Sequence, residues 1–496
     1  EDVQLNLGQT ADLEFKLFGA ELEEIVVVAP TDVVTNVAPG PSATFGLESL
    51  QKAPAINRNI ADVLRADPRI YVDESSGGNN SISCGGQNPR FNSITVDGVR
   101  MNDSFGLNSN GYPTERMPFS FDAIDQVSVE MAPFDVMYGG FTACNINAVT
   151  KSGGNEFHGS VFYDYTSDSL RGSSLEGDDI EMSSFNEQRF GVTLGGPVIQ
   201  DKLSFFVAYE YLDGVNNFDR GPLGSGAINE VNITQSELDE IRQIALDNYQ
   251  YDPGSIPKAY DNEDEKLLLK LDWMINEAHR LSFTYNYNDG YNIAESDGDL
   301  NELEYSNHLY ERGAKLNAYV GSWFADWTSR FSTEVRLGYS DLDNRQLSLG
   351  GTDFGEVQVI TDDVTVYLGA DDSRHSNLLE YQTTSAAFKG FYDLDAHLMT
   401  FGLEYEGVDV YNLFVQHTET ELRFYGIDNF RDGYAGAMYY NNAPSNVPGD
   451  AAADWAYAMN TAYVQDEWLV NDSLELTFGL RYDRYTTGDK PPVNPD

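Results

Sequence analysis

Apolar and polar side chains alternate along most of the chain after about residue 158. The alternation is clearest in residues 203–211, 280–288 and 474–483, each of which has one apolar and one polar face. In the middle run the two faces are Leu281, Phe283, Tyr285 and Tyr287 against Ser282, Thr284, Asn286 and Asn288. A period of two residues predicts β-strands that lie between an apolar and a polar environment.

Strand length separates the two kinds of sheet that give this pattern. Strands of soluble proteins usually have about 5–6 residues, whereas these runs have roughly 9–13 and carry aromatic residues toward their ends. Short turns are expected at residues 200–202, 276–279, 325–327 and 471–472, and long polar loops at 214–262, 289–310, 341–379 and 411–455. Short turns on one side and long loops on the other favour an all-β transmembrane barrel over a half-buried soluble sheet.

The number of strands leads to a further expectation about the wall. We count about 11 strands of roughly 10 residues by residue 496. An odd number does not close a single-chain bacterial barrel, and an unpaired edge in lipid would cost several kcal/mol for each backbone group without a partner. We therefore expect a comparable number of strands beyond residue 496 to complete the wall.

The first 150 residues do not show this long, regular alternation. Two alternating runs in residues 1–20 predict a hairpin at the end of a β-domain. Residues 23–28 place two acidic residues before four β-branched ones, which fits either a buried strand or a peptide that adds itself to the sheet edge of a partner protein. Prolines and small polar residues in 30–43 favour the peptide.

A small mixed module follows. Residues 59–66 predict a short amphipathic helix that ends at Asp67-Pro68. Residues 93–99 and 125–130 predict strands, the first ending in a turn at Asp97-Gly98. Residues 101–118 are rich in Asn, Gly and Ser and predict irregular loops.

Composition narrows the possible partners. The formal net charge of −50 argues against binding to nucleic acid, because phosphate contacts need clustered Lys and Arg. Aromatic residues make up 12% of the chain, too many for a disordered acidic protein. The sequence contains no run of about 18 apolar residues, so no transmembrane helix is expected. The N-terminus lacks a basic region followed by an apolar core, so a signal peptide is expected to have been cleaved or to precede the recorded sequence.

At this point the sequence resembles the TonB-dependent outer-membrane receptors, and within them the Oar-like branch with an N-terminal carboxypeptidase-regulatory-like domain. The motifs that carry the resemblance are QNPRFNSITVDGV at 87–99, VTKSG at 149–153, QDEW at 465–468 and GLRYD at 479–483. The resemblance implies four regions: the end of a carboxypeptidase-regulatory-like β-sandwich (1–20), a TonB box with its linker (21–43), an α/β plug domain (44–153) and the first part of the barrel (154–496). The complete barrel would have 22 strands, of which about half are present.

The family resemblance implies active transport across the outer membrane of a Gram-negative bacterium. TonB, with its inner-membrane energising complex, would bind the periplasmic box, whose residues are Glu23, Glu24, Ile25, Val26, Val27 and Val28. Plug loops at 73–80, 101–116 and 132–140 and the long extracellular loops would face the ligand. The candidate ligand contacts are Asn102, Asp103, Asn108, Asn110, Tyr112 and Arg116, with the alternative that these loops only seal the barrel.

The two cysteines depart from the family pattern. Cys84-Gly85-Gly86 stands where the family usually has Ile-Arg-Gly, and Cys144 lies in a stretch that usually contains small residues. Because the periplasmic side is oxidising and no other cysteine is present, we expect a disulfide between them. Two separate buried thiols are the alternative.

Catalysis finds no support in the sequence, and we expect no enzyme activity. The six histidines show no metalloprotease spacing, and nucleophile-elbow and P-loop motifs are missing. Acidic segments at 297–299 and 371–372 suggest Ca²⁺, but neither is a complete binding loop, so no cofactor or metal is expected.

Three functions remain open. Energised import is first, a TonB-coupled exporter or surface-assembly component is second, and a passive pore or structural surface protein is third. The acidic loops disfavour a highly anionic ligand and favour a peptide, a saccharide or a metal complex.

Overall fold

The computed structural model describes residues 40–53, 55, 57–73, 80–103, 105–108, 110–170, 172, 174–175, 178–179, 185–471 and 473–490. The expected β-sandwich hairpin, the TonB box and most of its linker lie outside these residues. Strands and helices are numbered separately in chain order.

The strands are β1 (Ser42–Phe45), β2 (Ile70–Asp73), β3 (Ser81–Cys84), β4 (Ser93–Val96), β5 (Val99–Arg100), β6 (Ile124–Glu130), β7 (Asn145–Thr150), β8 (His158–Ser167), β9 (Ser174–Leu175), β10 (Asp178–Asp179), β11 (Asn186–Ile199), β12 (Leu203–Asn217), β13 (Arg220–Pro222), β14 (Asn229–Val231), β15 (Ala259–Asn276), β16 (His279–Ala294), β17 (Glu302–Glu304), β18 (Tyr310–Thr328), β19 (Phe331–Ser348), β20 (Glu356–Ile360), β21 (Thr365–Leu368), β22 (Asn377–Asp393), β23 (His397–Phe414), β24 (Glu421–Tyr425), β25 (Ala437–Tyr439), β26 (Ala453–Asn471) and β27 (Leu474–Thr486). The α-helices are α1 (Leu47–Lys52), α2 (Ile60–Leu64), α3 (Gln235–Tyr249) and α4 (Ile427–Asp432). Short 3₁₀ turns occupy Pro89–Phe91, Phe121–Ala123, Asp168–Leu170, Asp372–Arg374 and Pro448–Ala451.

Eleven long strands form one antiparallel sheet, which we call the wall. Its order is β27-β26-β23-β22-β19-β18-β16-β15-β12-β11-β8, so each strand pairs with its neighbours in the chain. The eleven strands agree with the sequence count, and within the described residues β8 and β27 are not paired with each other. Closure into a 22-stranded barrel therefore stays a prediction.

The strand connections follow the predicted alternation, with one error. The turns expected at 200–202, 276–279 and 471–472 join consecutive wall strands. The turn expected at 325–327 is wrong, because β18 continues to Thr328 and β19 begins at Phe331. The alternation of apolar and polar residues continues through 325–327 to the end of β18. This short sequence therefore did not mark where β18 stops pairing with β19.

The wall buries its polar face and exposes its apolar face. In β16 the polar residues Thr284, Asn286 and Asn288 are only 5%, 2% and 0% exposed, whereas Phe283 on the other face is 45% exposed. A soluble half-buried sheet would show the reverse. The arrangement is that of a barrel with lipid outside and a polar interior.

Aromatic side chains gather where the wall strands meet the short turns. Trp323 lies 5.7 Å from Trp327, ring centre to ring centre, and His397 stacks on Trp468 at 5.4 Å. Phe331 and Tyr392 form a third such pair. Rings of this kind at one level of a wall are typical of an interfacial girdle.

The small mixed module is packed against the polar face of the wall, and we call it the plug. Its sheet has the order β1-β6-β7-β4-β5, in which β4 and β7 are parallel and the other pairs are antiparallel. The expected helix is α2, with Asn59 as its N-cap. The turn expected at Asp97-Gly98 joins β4 to β5, and both residues have positive φ. β1 begins at Ser42, two residues before the expected start of the plug at residue 44.

The sulfur atoms of Cys84 and Cys144 are bonded in the structure, which is the expected pairing. The bond joins the end of β3 to the residue before β7, and both cysteines are buried in the plug core. It therefore ties the β2-β3 hairpin to the main plug sheet.

The segment that leads from the plug into the wall depends on a close backbone approach. Asp97 accepts hydrogen bonds from the backbone N–H and the hydroxyl of Thr150 at 2.9 and 2.6 Å. A Cβ atom added to Gly153 would lie 2.1 Å from the carbonyl oxygen of Phe205 in β12, whereas one added to Gly154 would meet nothing within 4 Å. Gly153 thus permits the chain to pass against the wall backbone.

We expect Gly153→Ala to destabilise the folded protein by about 1–3 kcal/mol, because the new methyl group collides with backbone rather than with a movable side chain. Gly154→Ala is the matched control and should be close to neutral. The extent of heat-resistant folded protein in detergent, compared by gel shift over a temperature series, measures both. Equal behaviour of the two variants would contradict the close-approach argument.

The four long connections of the wall, residues 218–258, 295–309, 349–376 and 415–452, fold together into what we call the loop domain. Its main sheet has the order β17-β21-β20-β24-β25, with strands from three connections. The fourth connection supplies α3, whose Tyr249 stacks on Phe430 of α4 at 4.9 Å. A buried core that includes Ile241, Val359 and Phe424 unites these elements. The connections were predicted as long and polar, but their common core was not predicted.

None of the helices in the described ranges is long and apolar enough to cross a membrane.

Candidate functional site: the plug loop and its contacts with the wall

The plug loop at 101–118 is built on hydrogen bonds from its own side chains to its own backbone. Asp103 accepts from the backbone N–H groups of Phe105, Gly106 and Asn108 at 2.7–2.9 Å. Asn102 accepts from the N–H of Ile94 at 2.9 Å and donates to the carbonyl of Asn92 at 2.8 Å. These two candidate residues fix the start of the loop against β4.

Three further candidates are buried inside the loop. Asn108 donates to the carbonyl of Tyr112, and Asn110 donates to the carbonyls of Thr114 and Glu115. Tyr112 is fully buried with its ring edge on Phe119, and this burial raises the pKa of its hydroxyl. Asn108, Asn110 and Tyr112 are buried within the loop, and their role as direct ligand contacts stays a prediction. The side chains of Asn108 and Asn110 hydrogen-bond to the loop backbone.

The sixth candidate, Arg116, reaches the wall. One of its guanidinium nitrogens donates to Asn262 Oδ1 at 2.9 Å. Asn262 lies near the end of β15 that adjoins the long connections. Asn102, Asp103 and Arg116 are half-buried and stay proposals as ligand contacts.

Glu115, which the sequence did not single out, is the stronger anchor between loop and wall. Its Oε2 accepts from Arg312 at 2.9 and 3.1 Å and from Asn292 at 3.0 Å. Ser120, just beyond the loop, donates to Glu210 of β12 at 2.7 Å. Each partner is far away in the chain, so only the position of Glu115 beside a candidate residue could have drawn attention to it.

The two barrel motifs hold the other side of the plug. Gln465 accepts from the backbone N–H of Val136 at 3.1 Å, and Arg481 donates to the carbonyl of the same residue at 2.9 Å. Arg481 also pairs with Glu404 at 3.2 Å, and Asp466 pairs with His397 at 2.9 Å. The motifs QDEW and GLRYD therefore contribute plug contacts as well as strand pairing.

Residues 132–140 contact the wall nearer to its short turns than the loop at 101–118 does. Gln465 is six residues from the short-turn end of β26, whereas Asn292 and Arg312 are within three residues of the opposite ends of β16 and β18. The expectation that 132–140 faces the external ligand together with 101–116 stays a prediction. Residues 74–79 of the third expected ligand loop lie outside the described residues.

A cavity of about 180 Å³ separates this part of the plug from the wall. Its lining combines both signs of charge, including Arg100, Arg336, Arg481, Glu404 and Glu406. Glu130 is the last residue of β6 in the plug sheet. Its burial and the negative charge of Asp135 raise the pKa of its carboxyl group to about 7. Movement of the plug would therefore rearrange charged groups rather than apolar surfaces.

Comparison with known protein families identifies the family to which the chain belongs. Residues 149–219 and 228–492 match the family described as an outer membrane beta barrel domain, and residues 36–144 match the TonB-dependent receptor plug domain. The chain belongs to the TonB-dependent receptors of the Gram-negative outer membrane. No catalytic family is indicated, and this family consists of receptors and transporters rather than enzymes.

Two curated relatives are similar to parts of the chain. The TonB-dependent transporter Oar of Myxococcus xanthus is 28% identical over 304 residues, which cover 57% of this chain and 27% of Oar. The probable TonB-dependent siderophore receptor PirA of Acinetobacter baumannii is 24% identical over 494 residues, which cover 94% of this chain and 55% of PirA. The chain thus spans roughly a quarter to a half of the length of these relatives.

Solved structures show the same fold. The outer membrane transporter YddB from Escherichia coli superposes with a TM-score of 0.63 at 14% identity, over 91% of this chain and 58% of YddB. The siderophore receptor PirA from Acinetobacter baumannii superposes with a TM-score of 0.57 at 17% identity, over 90% of this chain and 57% of PirA.

Proposed function

We propose that this receptor imports a ligand across the outer membrane with energy delivered by TonB. The long connections and the loop at 101–118 face outward and receive the ligand, and residues 23–28 bind TonB in the periplasm. The observation that carries the proposal is the plug itself, which lies on the polar face of the wall and is anchored to it by buried polar bonds. A ligand passes only if those bonds are broken, and breaking them requires work.

The contacts at Glu115 and Arg481 support a plug that is moved as a unit. They join it to the wall through hydrogen bonds and ion pairs, for which water is a good substitute once the plug shifts. An apolar interface of the same area would lose its stabilisation on wetting. Polar anchoring is therefore compatible with repeated opening.

The ligand class that we propose is a metal complex of the siderophore type. PirA is described as a siderophore receptor, and it matches 94% of this chain. Half-buried Asn102, Asp103 and Arg116 would lie at the outer side of the plug, where Arg116 adds one positive charge near the negative charge of Asp103. The acidic loops disfavour a highly anionic complex.

Deletion of residues 23–28 is expected to abolish energised uptake while leaving the wall and plug folded. Cells that lack other siderophore receptors would be supplied with radiolabelled ferric siderophores, and accumulation would be compared with the unmodified receptor. Deletion of residues 31–36, six residues of the adjoining linker, is the matched control and should leave substantial uptake.

Unchanged accumulation after deletion of 23–28 would contradict TonB coupling through this segment. Failure of the unmodified receptor to accumulate any of the complexes would contradict the ligand class. Loss of a secreted protein in the deletion strain, detected by mass spectrometry of the medium, would instead support TonB-coupled export.

A further inference from the structure

Four side chains of metal-ligating type from two different connections meet inside the loop domain. Asp297 and His308 come from the connection between β16 and β18, and Glu356 and Asp371 from the connection between β19 and β22. One ligand atom of each lies within 4.8 Å of those of the other three. His308 Nε2 is 3.0 Å from Asp297 Oδ2 and 4.0 Å from Asp371 Oδ2. We call these four residues the tetrad.

The tetrad is not a solvated acidic surface. His308, Asp371 and Glu356 are only 0%, 1% and 3% exposed, and Asp297 is half-buried. Burial of carboxylates is costly unless they are paired with a positive charge or coordinate a metal.

Outer hydrogen bonds hold three members of the tetrad in place, and Glu356 Oε1 accepts one of them from Gln358 Nε2 at 2.6 Å. His308 Nδ1 donates to the carbonyl oxygen of Gly369 at 3.0 Å, which leaves Nε2 directed at the carboxylates. Glu356 Oε2 accepts from the backbone N–H of Asp372 at 2.8 Å, and Asp371 Oδ1 accepts from the N–H of Ser373 at 3.1 Å. Bonds of this kind fix the tautomer and the orientation of metal ligands.

A fifth side chain independently indicates a missing positive charge. Glu304 is 3% exposed, and its Oε1 accepts from the backbone N–H of Asp297 at 2.6 Å. Its Oε2 has no hydrogen-bond partner within the described part of the chain. Arg374, bonded to Asp371 at 2.9 Å, supplies one positive charge to a group of four carboxylates. With His308 neutral, as a metal ligand must be, the carboxyl groups outnumber the positive charges at this buried position.

We propose that the tetrad binds a divalent transition-metal ion, which fastens the two connections to each other. One imidazole nitrogen with three carboxylate oxygens suits ions such as Zn²⁺ or Mn²⁺, whereas Ca²⁺ takes oxygen ligands. The ion would neutralise the buried carboxylates and stabilise the loop domain around the route that a ligand takes to the plug. It is a structural ion and is distinct from any transported metal.

The histidines were scattered in sequence, which is why their spacing suggested no metal site. His308 is 11 residues from Asp297 and more than 40 from Glu356 and Asp371, so only the fold of the loop domain brings them together. The acidic segments at 297–299 and 371–372, considered separately for Ca²⁺, contribute one residue each to the tetrad.

The test is Zn²⁺ binding to full-length receptor that has been purified in detergent without a polyhistidine tag and stripped with a chelator. Isothermal titration and elemental analysis should give one tightly bound Zn²⁺ at the tetrad per chain. His308→Gln and Asp297→Asn should each weaken this binding at least about tenfold. Asp299→Asn, an exposed acid two residues from Asp297, is the matched control and should bind as the unmodified protein does.

A nearby second group makes the assignment falsifiable. Nδ1 of His417 lies 3.1 Å from Asp372 Oδ2 and 3.2 Å from Glu421 Oε2. Loss of the tight site in His417→Gln but not in His308→Gln would overturn the proposal, as would preference for Ca²⁺ over Zn²⁺. Absence of Zn²⁺ binding by the unmodified protein would show that His308 forms only a protonated ion pair with Asp297, which also overturns it. Circular dichroism spectra confirm that each variant is folded.

Discussion

Replacement of both Cys84 and Cys144 by serine is expected to lower the free energy of unfolding of the plug by about 4 kcal/mol. The disulfide closes a segment of 60 residues, and a cross-link of that length removes much of the conformational entropy of the unfolded chain. A plug that lacks it should still fold, because the strand pairing of its main sheet and the other core contacts remain. Hydrogen exchange of amides in β6 and β7 measures the change, since their opening reports on the whole plug.

The same loss should appear in the unmodified protein under a strong reductant, which serves as the matched control. Intact mass after alkylation tests the bond directly: without reduction neither cysteine should be labelled, and with reduction both should be. Labelling of both thiols without reductant would contradict the disulfide.

Arg312→Met is expected to weaken the attachment of the plug to the wall by about 3 kcal/mol. Glu115 is buried and accepts two hydrogen bonds from Arg312, so removal of the guanidinium leaves a buried carboxylate without its cation. The estimate is at the low end of the range for buried pairs, because Asn292 still donates to Glu115 and Arg312 is 33% exposed. The midpoint of plug release in urea, followed by protease access to the plug, measures it.

Two controls isolate the effect of charge. Arg330→Met breaks an exposed pair with Asp395 and should cost below about 1 kcal/mol. The double variant Glu115→Gln/Arg312→Met removes both charges and should recover most of the loss. If the double variant were as weak as Arg312→Met, the loss would come from packing rather than from the unpaired carboxylate.

The polar anchors connect these predictions to transport. Glu115 secures the outer side of the plug, and Gln465 and Arg481 secure residues 132–140 nearer the short turns. Under the proposed coupling, a pull on residues 23–28 would have to break these contacts in some order. Loss of the contact between Arg312 and Glu115 should therefore also change how much force the plug withstands.

Much of the architecture could be predicted because the signals are local. Alternation with a period of two residues identified the wall strands, and their length and connections placed them in a membrane. The helix at Ile60–Leu64 and the turn at Asp97-Gly98 were equally visible, since caps and positive φ act over a few residues. The turn at 325–327 was wrong because nothing local marks where β18 stops pairing.

The choice of ligand contacts stays a prediction, and the sequence leaves it open for a physical reason. Asn108, Asn110 and Tyr112 were selected as polar residues in a loop, but a polar side chain can bond its own backbone as well as a ligand. The sequence does not distinguish the two uses. Burial of these residues inside the loop depends on how the loop packs against Phe119 and the wall, which only the tertiary structure shows.

The sequence by itself determined the class of protein, because strand period, strand length and short motifs are properties of neighbouring residues. Only the tertiary structure decided which residues act together. Glu115 and Arg312 are 197 positions apart, and the tetrad joins Asp297 and His308 to Glu356 and Asp371 across two connections. Contacts of this kind depend on the register of eleven wall strands and on the common core of the loop domain, and no local pattern encodes either.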